Sequence, residues 1–346
     1  MAVFKRCFSE EAKPGQILAK DAVTTDQRVI LNAGTVLTEE NIRRIQSWGI
    51  PWLTLQKEME ASSIIERAYN RYKETLEDVR KSFDSVRQLG EIPVRKMQEL
   101  SDTKLLPLTE TPGVITYIHR MRSKDRYTFE HSVNVALLAG TLGKWLGYKG
   151  QDLRNLILAG LLHDIGKMLI PLTILNKPDK LTEAEMLVMK RHAQLGYELL
   201  KKLPGLPPDI AVGAWHHHER LNGKGYPQSL PGTEISRIGK LLAVVDVYDA
   251  LTSDRVYRKK MTPLLVLETL LEDRSDKLDA QMCTTFVYNV QDYLIGNRVR
   301  LSNGEDAEVI RLGIAIGCRP LVRTETGKFI DLEQEKNIAI IDLIKS

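Results

Sequence analysis

Cysteine is scarce in this chain: Cys7, Cys283 and Cys318 are the three among 346 residues, odd in number and far apart. No CxxC pair occurs, so neither a disulfide framework nor a cysteine zinc site is indicated. No uncharged apolar run approaches the roughly 18 residues that a membrane-spanning helix needs. The opening Met1-Ala2-Val3-Phe4-Lys5-Arg6-Cys7 carries no apolar signal core. The expectation is a cytoplasmic protein with no membrane partner. A concentrated basic stripe is also missing. A net charge of +4 and a pI near 8.8 suit a small anionic ligand, whereas a binder of polymeric nucleic acid concentrates its cations. Internal repeats and low-complexity tracts are absent too. The remaining composition, 43% hydrophobic and 27% charged, is that of an ordinary globular protein longer than one typical domain.

Pattern divides the chain into four stretches. Residues 1–57 read as a small mixed α/β module. Its short apolar runs, Ile17-Leu18, Val29-Ile30-Leu31 and Val36-Leu37, are separated by turn chemistry at Asp26-Gln27 and Asn32-Ala33-Gly34. Thr38 is placed to cap a short helix whose Ile42 and Ile45 share a face, Gly49 ends it, and Trp52-Leu53-Thr54-Leu55 reads as a closing strand. Residues 58–104 read as a charged helical linker. Its narrow stripe, Ile64, Ile65, Ala68, Tyr69, Tyr72, Leu76 and Val79, suits a partner helix in this chain or in a second copy, which makes a homodimer through residues 58–100 an expectation. Residues 105–295 are dominated by helical periodicity. Residues 296–346 return to strands, with Val299 and Leu301 alternating, Asn303-Gly304 as a hairpin turn, and short runs at Val309, Leu321-Val322, Ile330 and Ile338 to Ile340. The fold class is therefore mostly α, with small flanking modules.

Histidine is nearly as scarce as cysteine, yet five of the seven fall where a metal could use them. His163-Asp164 ends an apolar helix that runs from Asp152 to Leu162. A buried aspartate costs several kcal/mol unless it is paired or coordinated. A structural salt bridge would answer that cost, but the immediate apolar neighbours offer no Arg or Lys, and an aspartate has two oxygens with which to bridge two ions. Asp246 poses the same problem on the apolar face of Ile238 to Val247, and Asp249, three residues on, reads as a group supporting a ligand or as a surface charge. His192 follows a helix opened by the capping-box pattern Thr182-Glu183-Ala184-Glu185. His131 opens a helix whose Val135, Leu138 and Leu142 share its face. Taken alone, either histidine reads as an ordinary core residue, and each gains weight only from the other's company. His217 and His218 are about 100° apart on a helix, yet both can reach one ion if the helix end abuts it. His216 makes a third in that run.

His131, His163-Asp164 and Asp246, in that order, resemble the H…HD…D pattern of the HD-superfamily phosphohydrolases. His192, His217-His218-Glu219 and Gly225-Tyr226-Pro227 extend the resemblance, over about residues 105–295, to the HD-GYP family of bacterial cyclic dinucleotide phosphodiesterases. The resemblance implies an all-helical HD-GYP domain at residues 105–295, flanked by the mixed α/β N-terminal module and the β-rich C-terminal module. It implies that His131, His163, Asp164 and Asp246 hold one metal and that His192, His217 and His218 hold a second, with Asp164 bridging. The family's HHE falls on His217, His218 and Glu219, which leaves His216 as an extra. Some relatives bind a third metal through a glutamate at the position of Tyr127; the tyrosine points to a two-metal centre, and Glu130 is wrongly phased to substitute. Asn222 stands where many members have aspartate. Iron or manganese is the implied pair, in keeping with mixed imidazole and carboxylate ligation.

Two such ions would lower the pKa of a bridging water and favour in-line displacement at phosphorus. Asp164 and Lys167 are the expected catalytic residues. Lys167, one turn after His163, is placed to meet a phosphate oxygen or the leaving group, with Gly166 permitting close approach. Arg255 and Arg258 are implied phosphate contacts. Tyr226, between Gly225 and Pro227 in a loop able to fold over a ligand, is placed to stack on a base or simply to pack, and the resemblance adds a protein partner at this loop. The expected activity is hydrolysis of cyclic di-GMP to pGpG and/or GMP. The alternatives are a 3′,3′-cyclic GMP-AMP phosphodiesterase, another HD-superfamily nucleotide phosphohydrolase, and a non-catalytic cyclic dinucleotide receptor.

Overall fold

A computed structural model describes residues 4–26, 28–56, 58–111, 114–115, 118, 127–253, 261–291, 294–311 and 319–344. The N-terminal stretch builds on an antiparallel pair, β1 (Phe4–Phe8) with β4 (Trp52–Gln56), with Cys7 opposite Leu53. A second pair joins β2 (Ala22–Val23) and β3 (Val29–Leu31). Ile17-Leu18 and Val36-Leu37, read as apolar runs, form isolated bridges rather than strands (Ile17 to Val36, Leu18 to Leu55). Helix α1 (Glu39–Ser47) starts where Thr38 Oγ1 accepts from the Asn41 amide at 3.1 Å. It buries Ile42 and Ile45 against Leu18, Leu31, Leu37, Leu53 and Leu55 in a small apolar cluster of its own. Gly49, at φ +64, lets the chain leave α1.

Helix α2 (Glu58–Leu89) follows, then α3 (Val94–Leu100), a π turn (Ser101–Leu105) and α4 (Leu106–Thr109). Part of the α2 stripe finds a partner within the chain: Ala68, Tyr72 and Val79, with Phe83 and Val86 beyond them, are buried in the main core, and α2 packs on α5 (Tyr127–Trp145). Tyr69, on the same stripe, is 38% exposed. Ile64 and Ile65 lie outside the described side chains.

Helix α5 lies against α6 (Gly150–Leu162), and a 3-10 turn, Ile165–Leu169, follows at once. Then come α7 (Leu172–Leu175), α8 (Glu183–Lys190), α9 (His192–Leu200) and α10 (Pro208–His216). Helices α11 (Arg237–Thr252), α12 (Pro263–Asp273) and α13 (Ala280–Gln291) complete the helical body. Thr182 and Glu185 form the expected capping box on α8. Helix α5 starts four residues before His131, so that histidine sits inside the first turns rather than at the helix start.

Among the described residues, the last strands form one antiparallel sheet in the order β8-β7-β6-β5-β9. They are β5 (Arg298–Leu301), β6 (Asp306–Arg311), β7 (Leu321–Thr324), β8 (Phe329–Asp331) and β9 (Ile340–Ile344). Gly304, at φ +88, makes the β5–β6 turn. Val299, Leu301, Val309, Val322 and Ile330 turn inward and join the core of the helices. The fold is thus mostly helical with small strand-bearing flanks. No helix among the described residues is long and apolar enough to cross a membrane.

Candidate metal centre

Asp164 is the pivot of the site. It caps the turn after α6, is 1% exposed, and presents its two oxygens in opposite directions. Oδ2 lies 3.3 Å from His163 Nε2 and 3.5 Å from His131 Nε2. Oδ1 lies 3.2 Å from His192 Nε2 and 3.7 Å from His217 Nε2. Asp246, inside α11, places Oδ1 3.1 Å from His131 Nε2 and 4.0 Å from His163 Nε2, with Oδ2 3.7 Å from His218 Nδ1. All seven residues expected as ligands are therefore brought together from five helices and the turn that follows α6. Two sets of ligand atoms, Asp164 with His192, His217 and His218, and Asp164 with His131 and His163, each lie within 4.8 Å of one another.

The local backbone explains the convergence. His163 and His217 follow the ends of α6 and α10, and His192 begins α9. In each case Nδ1 donates to the carbonyl three residues earlier: His163 to Gly160 at 2.8 Å, His192 to Met189 at 2.7 Å, and His217 to Ala214 at 2.8 Å. His131 Nδ1 donates to Asp249 Oδ2 at 2.8 Å. With a proton held on Nδ1, each ring in its neutral form carries its lone pair on Nε2, the atom that faces the cluster. His192 Nε2 and His217 Nε2 stand 3.3 Å apart, an approach that a shared metal ion would reconcile when both rings are neutral. Among the described residues, His163 Nε2 and Asp164 Oδ1 are buried without a hydrogen-bond partner, a cost that coordination removes. The donor set fits divalent transition metals.

Charge points the same way. Burial acts to raise Asp164, yet Lys167 and the adjoining His163 and His192 hold its carboxyl well below the usual range. Burial likewise opposes ionisation of Asp246, but the His131 hydrogen bond keeps it low. Burial pushes His217 down to about 4 and His218 well below its ordinary value, which leaves both neutral, the ligating form. His131 is the exception: against the effect of burial, Asp246 and Asp249 raise it to about 9, so an incoming cation displaces a proton there.

Lys167 Nζ donates to Asp164 Oδ2 and is itself 18% exposed, so Asp164 does have a cationic partner, from one turn along the chain, where its immediate apolar neighbours offered none. Tyr226 stacks on His218 with ring centroids 4.5 Å apart, and Lys190 Nζ lies 5.1 Å from the Tyr226 ring. Lys190 was not legible as a site residue, because a lysine in the last turn of a helix ordinarily serves the helix dipole. Arg255 and Arg258 lie outside the described residues, as does the Tyr127 side chain. His216 turns away from the cluster: its Nδ1 accepts from the Ser236 amide at 3.1 Å, just where Ser236 caps α11. Asp249 supports His131 and is not a surface charge.

Glu219 has a role the sequence did not reveal. Its buried carboxylate accepts from the Gln228 amide at 2.7 Å and the Leu230 amide at 3.0 Å, closing the loop that carries Gly225, Tyr226 and Pro227. Gly225 lies so close beneath that a Cβ there would sit 2.6 Å from the Glu219 carbonyl carbon. Glu219→Ala leaves two amides without their charged acceptor. It is expected to lower stability by about 3 kcal/mol, read from urea unfolding; a loss under about 1 kcal/mol would remove this role.

Residues 117–282 match the HD domain family. The chain is 36% identical over 237 residues to a cyclic di-GMP phosphodiesterase of Pseudomonas aeruginosa, covering 68% of this chain and 55% of that protein. It is 39% identical over 172 residues to a 3'3'-cGAMP-specific phosphodiesterase of Vibrio cholerae, covering 49% of this chain and 40% of that one. Among solved structures, an HDG"Y"P protein from Bdellovibrio bacteriovorus matches with a TM-score of 0.54 at 15% identity, over 84% of this chain and 100% of that chain, a likeness of fold. The chain spans about half the length of the curated relatives it matches.

Proposed function

The chain belongs to the HD domain family, in its HD-GYP branch, and from that premise we propose that it hydrolyses a cyclic dinucleotide, cyclic di-GMP foremost, to pGpG and/or GMP. The observation that carries this reading is the shared Asp164 carboxylate, one oxygen facing His131 and His163 and the other facing His192 and His217. His131, His163, Asp164 and Asp246 would hold one divalent ion, and Asp164, His192, His217 and His218 a second, with iron or manganese as the pair. Such ions supply Lewis acidity toward a phosphoryl oxygen and make water nucleophilic at neutral pH. Water oxygen joins phosphorus, the P–O3′ bond breaks, and the departing 3′ oxygen takes up a proton.

The chain's own residues do the rest. Lys167, hydrogen-bonded to Asp164 at the mouth of the cluster, is positioned to transfer that bond to a non-bridging phosphoryl oxygen as negative charge grows there. Tyr226, stacked on His218, offers its ring to a base. Arg255 and Arg258 are assigned to the substrate's two phosphates. Lys167→Ala is expected to lower kcat by about a hundredfold with metal content unchanged, read by steady-state kinetics beside elemental analysis. Parallel loss of metal would contradict its placement.

Anaerobically prepared, metal-loaded protein, incubated separately with cyclic di-GMP and 3′,3′-cyclic GMP-AMP and resolved by chromatography, tests the reading. Linear product from cyclic di-GMP is expected. Faster turnover of cyclic GMP-AMP would reassign the substrate, and binding without product would make the chain a receptor.

A further inference from the structure

We infer that α2 is a positioning element of the metal centre, and that Tyr72 is the residue through which it sets His131. The inference rests on the reading of His131 as a metal ligand. Four side chains, each no more than 2% exposed, form an unbroken line: Tyr72, Asn134, Asp249 and His131. Tyr72 Oη donates to Asn134 Oδ1 at 2.7 Å, Asn134 Nδ2 donates to Asp249 Oδ1 at 3.0 Å, and His131 Nδ1 donates to Asp249 Oδ2 at 2.8 Å. The direction of the line is forced. An ionised carboxylate only accepts, so the Asn134 amide must turn its NH2 to Asp249 and its oxygen to Tyr72, and only a hydroxyl proton can meet that oxygen. The phenol therefore fixes the amide, the amide fixes one carboxylate oxygen, and the other oxygen fixes the imidazole tautomer that presents Nε2 to Asp164 and Asp246.

Fifteen residues further along α2, about 22 Å at the helical rise, the same helix touches the other end of the site. Arg87 donates to the Lys167 carbonyl at 3.0 Å and to the Ile170 carbonyl at 3.3 Å, which holds the turn that carries Lys167. Helix α2 lies wholly before residues 117–282, where the family match falls. It also follows directly on β4 of the N-terminal sheet pair. A rotation of α2 by one residue, about 100°, would withdraw the hydroxyl and the guanidinium together. The metal centre is thus held in register by a helix outside the HD region.

The experiment titrates purified, metal-stripped full chain with manganese and follows free Mn(II) by electron paramagnetic resonance, in wild type, Tyr72→Phe, Asp249→Asn and the double variant. Tyr72→Phe is expected to weaken one of two manganese sites by about tenfold, the lower end of what loss of an outer hydrogen-bond partner costs, and to leave the other unchanged. The double variant is expected to bind no more weakly than Asp249→Asn alone, since both act on one line. Equal weakening of both sites, or additive losses, would mark Tyr72 as a packing residue and overturn the inference. Wild-type manganese affinity in Tyr72→Phe would overturn it while leaving the metal reading intact, whereas a wild-type chain that takes up no manganese sinks both. Arg87→Met is expected to lower kcat with manganese affinity unchanged; an unaltered kcat removes the second anchor.

Discussion

Asp164→Ala is expected to abolish turnover, by at least about a thousandfold, and to strip both metals from a chain that stays folded. The magnitude follows from the carboxylate's position. Losing an outer partner of a ligand costs about 10- to 100-fold in affinity or activity, and Asp164 is the one side chain that both sets of ligand atoms share. Removing His192 leaves His131, His163, Asp164 and Asp246 in place, so His192→Ala is expected to keep one metal per chain where Asp164→Ala keeps none. The fold tolerates both changes because Asp164 sits at a turn and His192 at a helix start, while the core is built by residues such as Leu156, Leu161, Leu242 and Val245. Elemental analysis after dialysis, circular dichroism and a product assay check the three parts. An Asp164→Ala chain that retained two metals, or that turned over substrate, would dismiss the bridging assignment.

How much of this was readable in the residues depends on range. Helix ends announce themselves locally: Thr182 with Glu185, Thr38 before α1, and Gly304 in its hairpin are short-range chemistry, and the structure has them. Asp164 and Asp246 stood out as candidate ligands because a buried aspartate raises a question of cost that few answers meet, whereas His131 and His192, ordinary core residues when read alone, joined the candidate set through the family resemblance. What escaped needed long-range knowledge. Asp249 read as support for a ligand or as a surface charge, but nothing local says that it faces His131, 118 residues earlier, nor that Tyr72 and Val79 of the α2 stripe enter the main core. Glu219 was seen only as part of a motif, because its amide partners lie nine and eleven residues away in a loop with no periodicity. His216, left over as an extra beside His217 and His218, had no role that the sequence revealed. Its ring leaves the helix on another side and serves the start of α11 instead.

Gly166→Ala carries the other large expected effect, and it comes from a single methyl group. The 3-10 turn that bears Asp164 and Lys167 packs directly on α9, whose first residue is His192. A Cβ at residue 166 would collide with the His192 carbonyl oxygen and lie 2.5 Å from the Gly196 amide and 2.9 Å from the His192 carbonyl carbon. All three neighbours are backbone, so no side chain can swing aside, and the turn must separate from α9. Overpacking of this kind costs about 1–3 kcal/mol where neighbours can adjust; with a rigid helix on the far side, the upper end, about 3 kcal/mol, is expected. The displacement also parts Asp164 from His192, now 3.2 Å apart, and so strikes the second metal set before the first. Gly166→Ala is therefore expected to lower the urea midpoint and to lose one of two manganese ions. Gly225→Ala, whose nearest collisions are with the backbone of Glu219 and Arg220 in its own loop, is expected to keep both. Wild-type stability together with full manganese occupancy in Gly166→Ala would show that the turn and α9 are not held at contact distance, and the close approach that aligns the two halves of the site would have to be abandoned.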